Sequence, residues 1–151
     1  MLRKISKEES KYDLSERTEF SVRFSEADPL GIAWHGSYVN YFEDGREAFG
    51  KKYGLTYLNV LENGYVTPFI KMNFEFRQAL KYNEKAIVET RYTDSDAAKI
   101  IFHYSIFRAS DMELMTTGET VQIFLSTDGE LSLTMPEFFM EWKKRWGIIN
   151  D

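Results

Sequence analysis

The residue types best suited to chemistry lie together in one short stretch, residues 24–38, which read FSEADPLGIAWHGSY. It contains a carboxylate followed by a proline, Asp28, and a histidine seven residues later, His35. A positioned carboxylate can attack a carbonyl carbon or take a proton from water. Asp-Pro also commonly opens a turn, so a purely structural role for Asp28 is the alternative to a catalytic one.

The composition excludes several other kinds of site. The chain has no cysteine, so thiolate metal sites, iron-sulfur clusters and a cysteine nucleophile are absent. Of the two histidines, His35 lies in the stretch above and His103 lies in a predicted strand, where we expect a hydrogen-bonded structural role. We therefore expect no metal site. The net charge of −5 opposes binding to nucleic acid, and no glycine-rich phosphate loop of either common type is present.

The length of 151 residues predicts a single domain over residues 1–151, in which the polar residues 1–13 form a flexible arm. A domain of this size buries about 70% of the surface of its unfolded chain, and the aromatic content of 16% can fill its core. No apolar run approaches the ~18–20 residues that span a bilayer. The charged N-terminus also lacks the apolar region of a signal peptide, so we expect a cytoplasmic protein with no membrane partner.

The stretch with Asp28 lies between a predicted strand and a predicted helix. Residues 18–24 alternate between apolar and polar, which is typical of a half-buried strand. Residues 38–53 place aromatic side chains three and four positions apart on one helical face, with Ser37 as the predicted N-cap. Gly45 inside this helix favours close contact with a sheet, because glycine costs up to about 1 kcal/mol relative to alanine there.

The second half of the chain is dominated by two-residue alternation. The predicted strands cover residues 70–76, 86–93, 99–108 and 117–125. A hairpin turn at Asp128-Gly129 is predicted to lead into residues 131–133, and a capping box of Thr134 and Glu137 to start a C-terminal helix. Because no β-α-β alternation occurs, the order of elements predicts an α+β domain in which an antiparallel sheet packs on one long helix.

The motif Asp-Pro-x-Gly-Ile-x-Trp-His at residues 28–35, between the first strand and the long helix, carries a resemblance. With Tyr41-Phe42-Glu43-x-x-Arg46 in the helix, it resembles the 4-hydroxybenzoyl-CoA thioesterase family of acyl-CoA thioesterases. The resemblance implies the hotdog fold, an antiparallel sheet of about five to six strands wrapped around one long helix. It also implies hydrolysis of an acyl-CoA thioester without a cofactor, by a homodimer or by a homotetramer built as a dimer of dimers.

The resemblance also implies roles for residues of the motif. Asp28 is implied as the nucleophile or the general base, and both roles stay open. The backbone N–H of His35, with Gly36 beside it, is implied to hold the thioester oxygen in an oxyanion hole. Physical chemistry supports this role, since the first N–H groups of a helix lack intrahelical acceptors and carry about half a positive charge. One such donor can lower a barrier by about 3–4 kcal/mol.

Contacts to the acyl group are predicted at less specific positions. Tyr38 lies at the helix start and Trp34 lies inside the motif, so both are candidate substrate-binding residues. Glu43 is a third candidate, because some hotdog thioesterases use a helix glutamate as the catalyst. The alternative for Glu43 is an ion pair with Arg46, and the alternative for the helix aromatics is a place in the core.

Coenzyme A carries three phosphate groups, which attract basic side chains. We predict phosphate contacts from Lys71 and Arg91, and the same argument applies to Arg77, Lys99 and Arg108 on or beside strands. The alternative for each of them is a solvated strand face that discourages pairing with another chain.

Residues 78–84 depart from the family, in which a proline and a Gly-Asp pair are common there, and only Tyr82 is retained. We expect this segment to shape the sheet edge and the contacts between subunits. Three alternatives to an acyl-CoA thioesterase remain. They are hydrolysis of thioesters on acyl carrier protein, a hotdog dehydratase or hydratase, and a non-catalytic acyl-CoA-binding subunit. The sequence leaves the acyl group open.

Overall fold

The computed structural model describes residues 14–150, so the predicted arm at residues 1–13 lies outside the described part. Along the chain the elements are β1 (Ser15–Ser21), α1 (Tyr38–Tyr53), α2 (Tyr57–Glu62), β2 (Tyr65–Val66), β3 (Phe69–Phe76), β4 (Lys85–Thr93), β5 (Lys99–Arg108), β6 (Leu114–Ile123), β7 (Leu125–Ser126) and α3 (Glu137–Arg145). Two 3-10 turns, Phe24–Glu26 and His35–Ser37, lie between β1 and α1.

Five strands form one antiparallel sheet in the order β1-β4-β5-β6-β3, which leaves β1 and β3 at its edges. The short strands β2 and β7 pair separately. Helix α1 lies against the large sheet and contacts β1 and β4. This arrangement confirms the predicted α+β class. None of the described helices combines the length and the apolar character needed to cross a membrane.

Two-residue alternation separates the two faces of the central strands. In β5 the even-numbered residues from Ile100 to Ile106 are buried, whereas those between them, including His103, are partly exposed. Phe42 of α1 stacks on Tyr104 of β5 with 4.1 Å between the ring centroids. Full burial of such a side chain stabilises a fold by about 1.5–3 kcal/mol. The aromatic stripe of α1 therefore fixes the helix to this face of the sheet.

Gly45 is the point at which α1 comes closest to the sheet. A Cβ atom added at Gly45 would overlap Thr90 Oγ1 and would come within 3.1 Å of Val88 Cγ2. Thr90 and Val88 are both buried in β4, so neither can move aside without disturbing the core. The prediction that the helix backbone approaches a sheet at Gly45 is confirmed.

The C-terminal helix α3 packs against the end of α1. Phe139 and Trp142 are buried, and the indole N–H groups of Trp142 and Trp146 both donate to the carbonyl oxygen of Tyr53 at 2.8 Å. Because the last carbonyl groups of a helix lack intrahelical donors, these bonds stabilise the end of α1. Trp146 lies beyond α3 and is partly exposed.

The first strand ends before the predicted limit at residue 24. After Ser21 the chain bonds to a loop: Val22 N–H donates to Glu84 O at 3.1 Å, and Val22 O accepts from Asn83 N–H at 2.9 Å. Phe24 lies in a 3-10 turn and is 82% exposed. The alternation beyond Ser21 therefore reflects the burial of Val22 and not a continued strand.

Neither predicted helix cap makes its side-chain hydrogen bond, although Ser37 directly precedes α1 as predicted. Ser37 has helical backbone angles, φ −68° and ψ −20°, and its hydroxyl donates to Glu26 O at 2.9 Å instead of capping α1. The chain is already coiled there, because a 3-10 turn leads directly into α1. The capping box of Thr134 also does not form, since α3 begins after Pro136, whose fixed φ suits a helix start.

The segment after β6 is less regular than predicted. β6 covers Leu114–Ile123, and the chain then continues into β7, whereas one strand over residues 117–125 was expected. Gly129 has the φ of 89° that the predicted turn requires. A single bridge between Leu125 and Leu131 follows the turn. Leu133, at the end of the predicted strand, is 86% exposed.

Replacing Gly45 by alanine tests the close contact between α1 and the sheet. We expect Gly45→Ala to lower the free energy of unfolding by about 1–3 kcal/mol through overpacking, although alanine favours a helix by about 1 kcal/mol. Urea unfolding followed by circular dichroism measures the change. In the Thr90→Ala background the loss is expected to shrink, because the overlapping Oγ1 is gone. Equal losses in both backgrounds would contradict the contact.

Candidate active site

Backbone hydrogen bonds hold the loop between β1 and α1 against the segment that follows β3. Ala33 N–H donates to Leu80 O at 2.8 Å, and Tyr82 N–H donates to Gly31 O at 2.9 Å. Within the loop, Trp34 N–H donates to Glu26 O at 2.8 Å. These bonds place the loop, the start of α1 and the end of β3 side by side.

Asp28 closes a tight turn at the tip of this loop. Its Oδ1 accepts from Leu30 N–H at 2.8 Å and from Ile32 N–H at 3.4 Å, and its own N–H donates to Ile32 O at 2.8 Å. The other carboxylate oxygen, Oδ2, accepts no hydrogen bond from the described residues, and the side chain is half-buried. The structural role of Asp28 therefore occupies one oxygen and leaves the second available.

His35 begins the 3-10 turn that continues into α1. Within residues 14–150, the backbone N–H groups of His35 and of Gly36 have no hydrogen-bond acceptor. Both groups lie at the start of a 16-residue helix, where the helix dipole favours negative charge. The arrangement therefore offers two adjacent donors for an oxyanion.

One cavity, which we call the Asp28 cavity, is lined by both Asp28 and His35. It holds about 250 Å³ and is lined by Asp28, Ile32, Ala33, His35, Tyr38, Phe76, Arg77, Gln78 and Ala79. Ligand pockets usually measure about 300–1,000 Å³, so this volume suits an acyl group better than a whole acyl-CoA. Nowhere in residues 14–150 do three or more His, Asp or Glu side chains form a group that could hold a metal ion.

Three predicted site residues, Asp28, His35 and Tyr38, meet in the Asp28 cavity. Tyr38 is buried, and its hydroxyl accepts from Leu80 N–H at 3.5 Å. Burial raises the pKa of Tyr38, so the phenol stays protonated and neutral at physiological pH. It can contribute packing and a neutral hydroxyl group, but no negative charge.

Two further predicted site residues, Trp34 and Gly36, do not line the cavity. Trp34 is 52% exposed, and its ring packs beside the ring of His35 with 4.9 Å between centroids. A Cβ atom at Gly36 would overlap the Trp34 ring, so the absence of a side chain lets Trp34 cover the turn. The predicted substrate contact of Trp34 stays a prediction.

Glu43 lies on the exposed side of α1, 3.7 Å from Arg46, which is the ion pair expected as its structural alternative. Glu43 is half-exposed and does not line the Asp28 cavity. Its predicted substrate contact remains a prediction, and its present partner is Arg46.

Lys71 and Arg91 lie on the face of the sheet that points away from α1. Lys71 Nζ is 2.8 Å from Glu119 Oε1, and Arg91 Nε is 3.6 Å from Glu89 Oε1. The hydrogen bond from Lys71 holds the pKa of Glu119 below its usual range. The predicted CoA contacts of Lys71 and Arg91 remain predictions, since neither residue lines the Asp28 cavity.

His103 belongs to the same face of the sheet and is hydrogen-bonded on both ring nitrogens. Nδ1 is 2.7 Å from Thr93 Oγ1, and Nε2 is 2.9 Å from Glu119 Oε2. The expected structural role of His103 is consistent with these bonds.

Sequence reasoning missed the segment at the end of β3 as part of the cavity. Phe76, Arg77, Gln78 and Ala79 line it beside Asp28, although their sequence resembles an ordinary strand end. The departure of residues 78–84 from the family pattern was visible, but it was expected to shape the sheet edge and the contacts between subunits. The bond from Ala33 to Leu80, which joins the two segments, leaves no signal in the sequence.

A second cavity of about 610 Å³ lies between β1 and α1. Its charged lining residues are Glu19, Arg23, Glu26, Asp44, Glu47 and Lys51. Burial raises the pKa of Asp44, and the surrounding carboxylates act in the same direction. Four carboxylates against two basic groups oppose an anionic ligand such as CoA, so the Asp28 cavity is the better candidate site.

Comparison with known proteins shows similarity to thioesterases over most of the chain. YneP of Bacillus subtilis, a protein named for acyl-CoA thioesterase activity, is 27% identical over 126 residues, which are 83% of this chain and 91% of YneP. The 4-hydroxybenzoyl-CoA thioesterase of Pseudomonas sp. is 25% identical over 115 residues, covering 72% of this chain and 82% of that protein.

The solved structure of a DHNA-CoA thioesterase from Staphylococcus aureus superposes with a TM-score of 0.79 at 27% identity, covering 88% of this chain and 89% of that one. The predicted hotdog fold and the predicted thioester hydrolase are confirmed by these likenesses. Residues 22–143 match the family model of the thioesterase-like superfamily, and the chain therefore belongs to that superfamily.

Proposed function

We propose that the protein hydrolyses acyl-CoA thioesters to a free carboxylic acid and CoA. The observation that carries the proposal is the Asp28 cavity, in which a carboxylate with a free oxygen lies beside backbone N–H donors at the start of a long helix. The names of the relatives support an acyl-CoA substrate.

In the proposed reaction the thioester carbonyl enters the Asp28 cavity with its oxygen at the N–H groups of His35 and Gly36. Negative charge that develops on this oxygen is stabilised by the two donors and by the helix dipole. Ile32 and Phe76 line the cavity with apolar surface, which lowers the local dielectric constant and strengthens this interaction.

Asp28 then acts in one of two ways. As a nucleophile, its carboxylate attacks the carbonyl carbon and expels CoA as the thiolate, and water later hydrolyses the resulting anhydride. As a general base, it removes a proton from a water molecule that attacks the same carbon, and the tetrahedral intermediate expels the thiolate. Oxygen from labelled water that appears in Asp28 after a single turnover would identify the nucleophilic route, because it enters when water attacks the aspartyl carbonyl of the anhydride.

We also infer that the working unit is a homodimer formed through β3. This edge strand is eight residues long and carries exposed apolar side chains, Ile70 at 54% and Phe76 at 51%. Long apolar edges readily pair with another strand. Because Phe76 also lines the Asp28 cavity, such pairing would bring the second copy to the mouth of the site.

Two substitutions at Asp28 separate catalysis from folding. Asp28→Asn keeps an oxygen that can accept from Leu30 and Ile32, so we expect an unchanged melting temperature. Loss of the carboxylate is expected to lower kcat by at least about 10²–10⁴-fold, measured as thiol release from a panel of acyl-CoAs. Asp28→Ala also removes both turn bonds and is expected to cost about 1–2 kcal/mol of stability. Full activity of Asp28→Asn would refute the proposal.

The oxyanion hole is tested by removing only the N–H group of His35. Proline fits this position, because Trp34 has φ −61° and ψ 139° and the first helical residue needs no donor for the helix. We expect His35→Pro to lower kcat by about 10²–10³-fold. His35→Ala keeps the N–H and is expected to stay within about tenfold of the wild type. Equally large losses in His35→Ala and His35→Pro would assign the role to the imidazole instead, because both variants lack it.

A charge on the β3 edge tests the dimer. We expect the wild type to sediment as a dimer or a larger even-numbered assembly, and Ile70→Glu to sediment as a monomer with reduced thiol release. The matched control is Leu133→Glu, which changes another exposed leucine-sized side chain, 86% exposed in a loop, and keeps the assembly. A monomeric wild type, or an unchanged assembly in Ile70→Glu, would exclude pairing through β3.

A further inference from the structure

Arg77 is the one basic residue among those that line the Asp28 cavity, apart from His35. It follows the last residue of β3, and its backbone N–H donates to Met115 O at 2.9 Å. That bond attaches Arg77 to the sheet at the strand end. The backbone of Arg77 is therefore fixed by the sheet, and its exposed side chain starts from the cavity wall.

Several other arginines are already paired with carboxylates. Ion pairs are formed by Arg17 with Glu89, Arg46 with Glu43, Arg91 with Glu89, and Arg108 with Glu84 and Asp111. Within residues 14–150, the Arg77 guanidinium makes no ion pair and no hydrogen bond, and Asp28 in the same cavity is not its partner. Arg77 thus brings uncompensated positive charge to the site.

The polar neighbour of Arg77 is not available to take its place. Gln78 Nε2 donates to Glu113 Oε1 at 2.9 Å, and Gln78 Oε1 accepts from Arg108 Nη2 at 3.2 Å. Both ends of the Gln78 amide are therefore occupied outside the cavity. Recognition of an anion in the cavity would depend on Arg77.

The length of the CoA arm limits which anion can reach Arg77 from the reacting thioester. About 13 bonds separate the thioester sulfur from the first phosphorus atom, and at about 1.2 Å per bond this arm extends about 15 Å. The Asp28 cavity holds about 250 Å³, and even the 570 Å³ of empty space that includes its open mouth equals a sphere about 10 Å across. An anion inside this space belongs to the acyl group rather than to the phosphates.

We propose that Arg77 determines specificity by binding a carboxylate at the far end of the acyl group, so that the preferred substrates are CoA thioesters of dicarboxylic acids. A guanidinium pairs with a carboxylate through two parallel hydrogen bonds. It also offsets the repulsion between this carboxylate and Asp28. The proposal rests on the proposed thioesterase function.

Two acyl groups that differ only in the para substituent test the proposal, 4-carboxybenzoyl-CoA and 4-methylbenzoyl-CoA. We expect the wild type to prefer the carboxylate in kcat/KM by about 10- to 100-fold, as a charge-assisted pair would give. Arg77→Gln is expected to remove this preference through a higher KM for the carboxylate compound, with a much smaller change in kcat/KM for the methyl compound. Arg77→Lys keeps the charge without the two-pronged geometry and is expected to retain part of the preference.

The same acyl groups on N-acetylcysteamine, which has no phosphate, identify the source of the anion. We expect the wild type to prefer the carboxylate on N-acetylcysteamine as well. The control variant is Arg145→Gln, which removes an exposed arginine of α3 outside the cavity and is expected to behave as the wild type. If Arg77→Gln lowers kcat/KM for both acyl groups on CoA but not on N-acetylcysteamine, Arg77 binds a phosphate. If Arg77→Gln lowers kcat for both acyl groups on both carriers, Arg77 acts in the transition state. Either result, or a wild type without preference, overturns the proposal.

A binding measurement keeps this test separate from the proposed hydrolysis. Titration calorimetry with two amides, the mono-N-ethylamide of terephthalic acid and the N-ethylamide of 4-methylbenzoic acid, requires no turnover, and only the first carries a carboxylate. Tighter binding of the terephthalic amide by the wild type, lost in Arg77→Gln, supports the carboxylate site even if no acyl-CoA is hydrolysed. Equal binding of both amides by the wild type and by Arg77→Gln overturns it, even if thiol release is observed.

Discussion

The contact between α1 and the sheet at Gly45 controls where the candidate site lies. Gly45 contributes no side chain at this point, and Thr90 Oγ1 fills the space that a Cβ would need. Phe42, one turn earlier, stacks on Tyr104 of β5 and anchors the helix on the same face. The helix therefore has one permitted depth against the sheet. Its N-terminal N–H groups, including that of His35, are placed as precisely as the core itself.

A second constraint brings the carboxylate to this helix start. The loop between β1 and α1 is bonded along one side to residues 80–83, through Ala33 with Leu80 and Val22 with Asn83. Asp28 adds its own turn bonds with one oxygen, so the loop tip is stiff where chemistry requires a fixed carboxylate. The structural and catalytic readings of Asp28 are thus compatible, because they use different oxygens of one side chain.

The sequence was informative where a local pattern has one physical meaning. Aromatic spacing located α1 from Tyr38 to Tyr53 at both ends, and glycine in mid-helix revealed the close contact with the sheet. Side-chain capping by Ser37 was wrongly predicted because its hydroxyl donates to a distant acceptor, Glu26 O, that the sequence does not reveal. Arg77 was considered for a phosphate contact, but its place in the cavity wall was missed, since strand order and not strand pattern places the end of β3 beside Asp28.

The sheet order also separates the residues proposed for hydrolysis from the residues proposed to select the acyl group. The groups proposed for hydrolysis lie on a stiff loop and at the start of a buried helix, where substitutions disturb packing or turn bonds. The groups proposed to meet the acyl chain, Phe76 and Arg77, lie at the end of an edge strand with only one neighbouring strand. Side chains there can change with little loss of stability, because edge positions bury less surface than central ones. The segment that departs from the family pattern starts at this strand end, so this chain can differ from its relatives in its acyl group while keeping the same reaction.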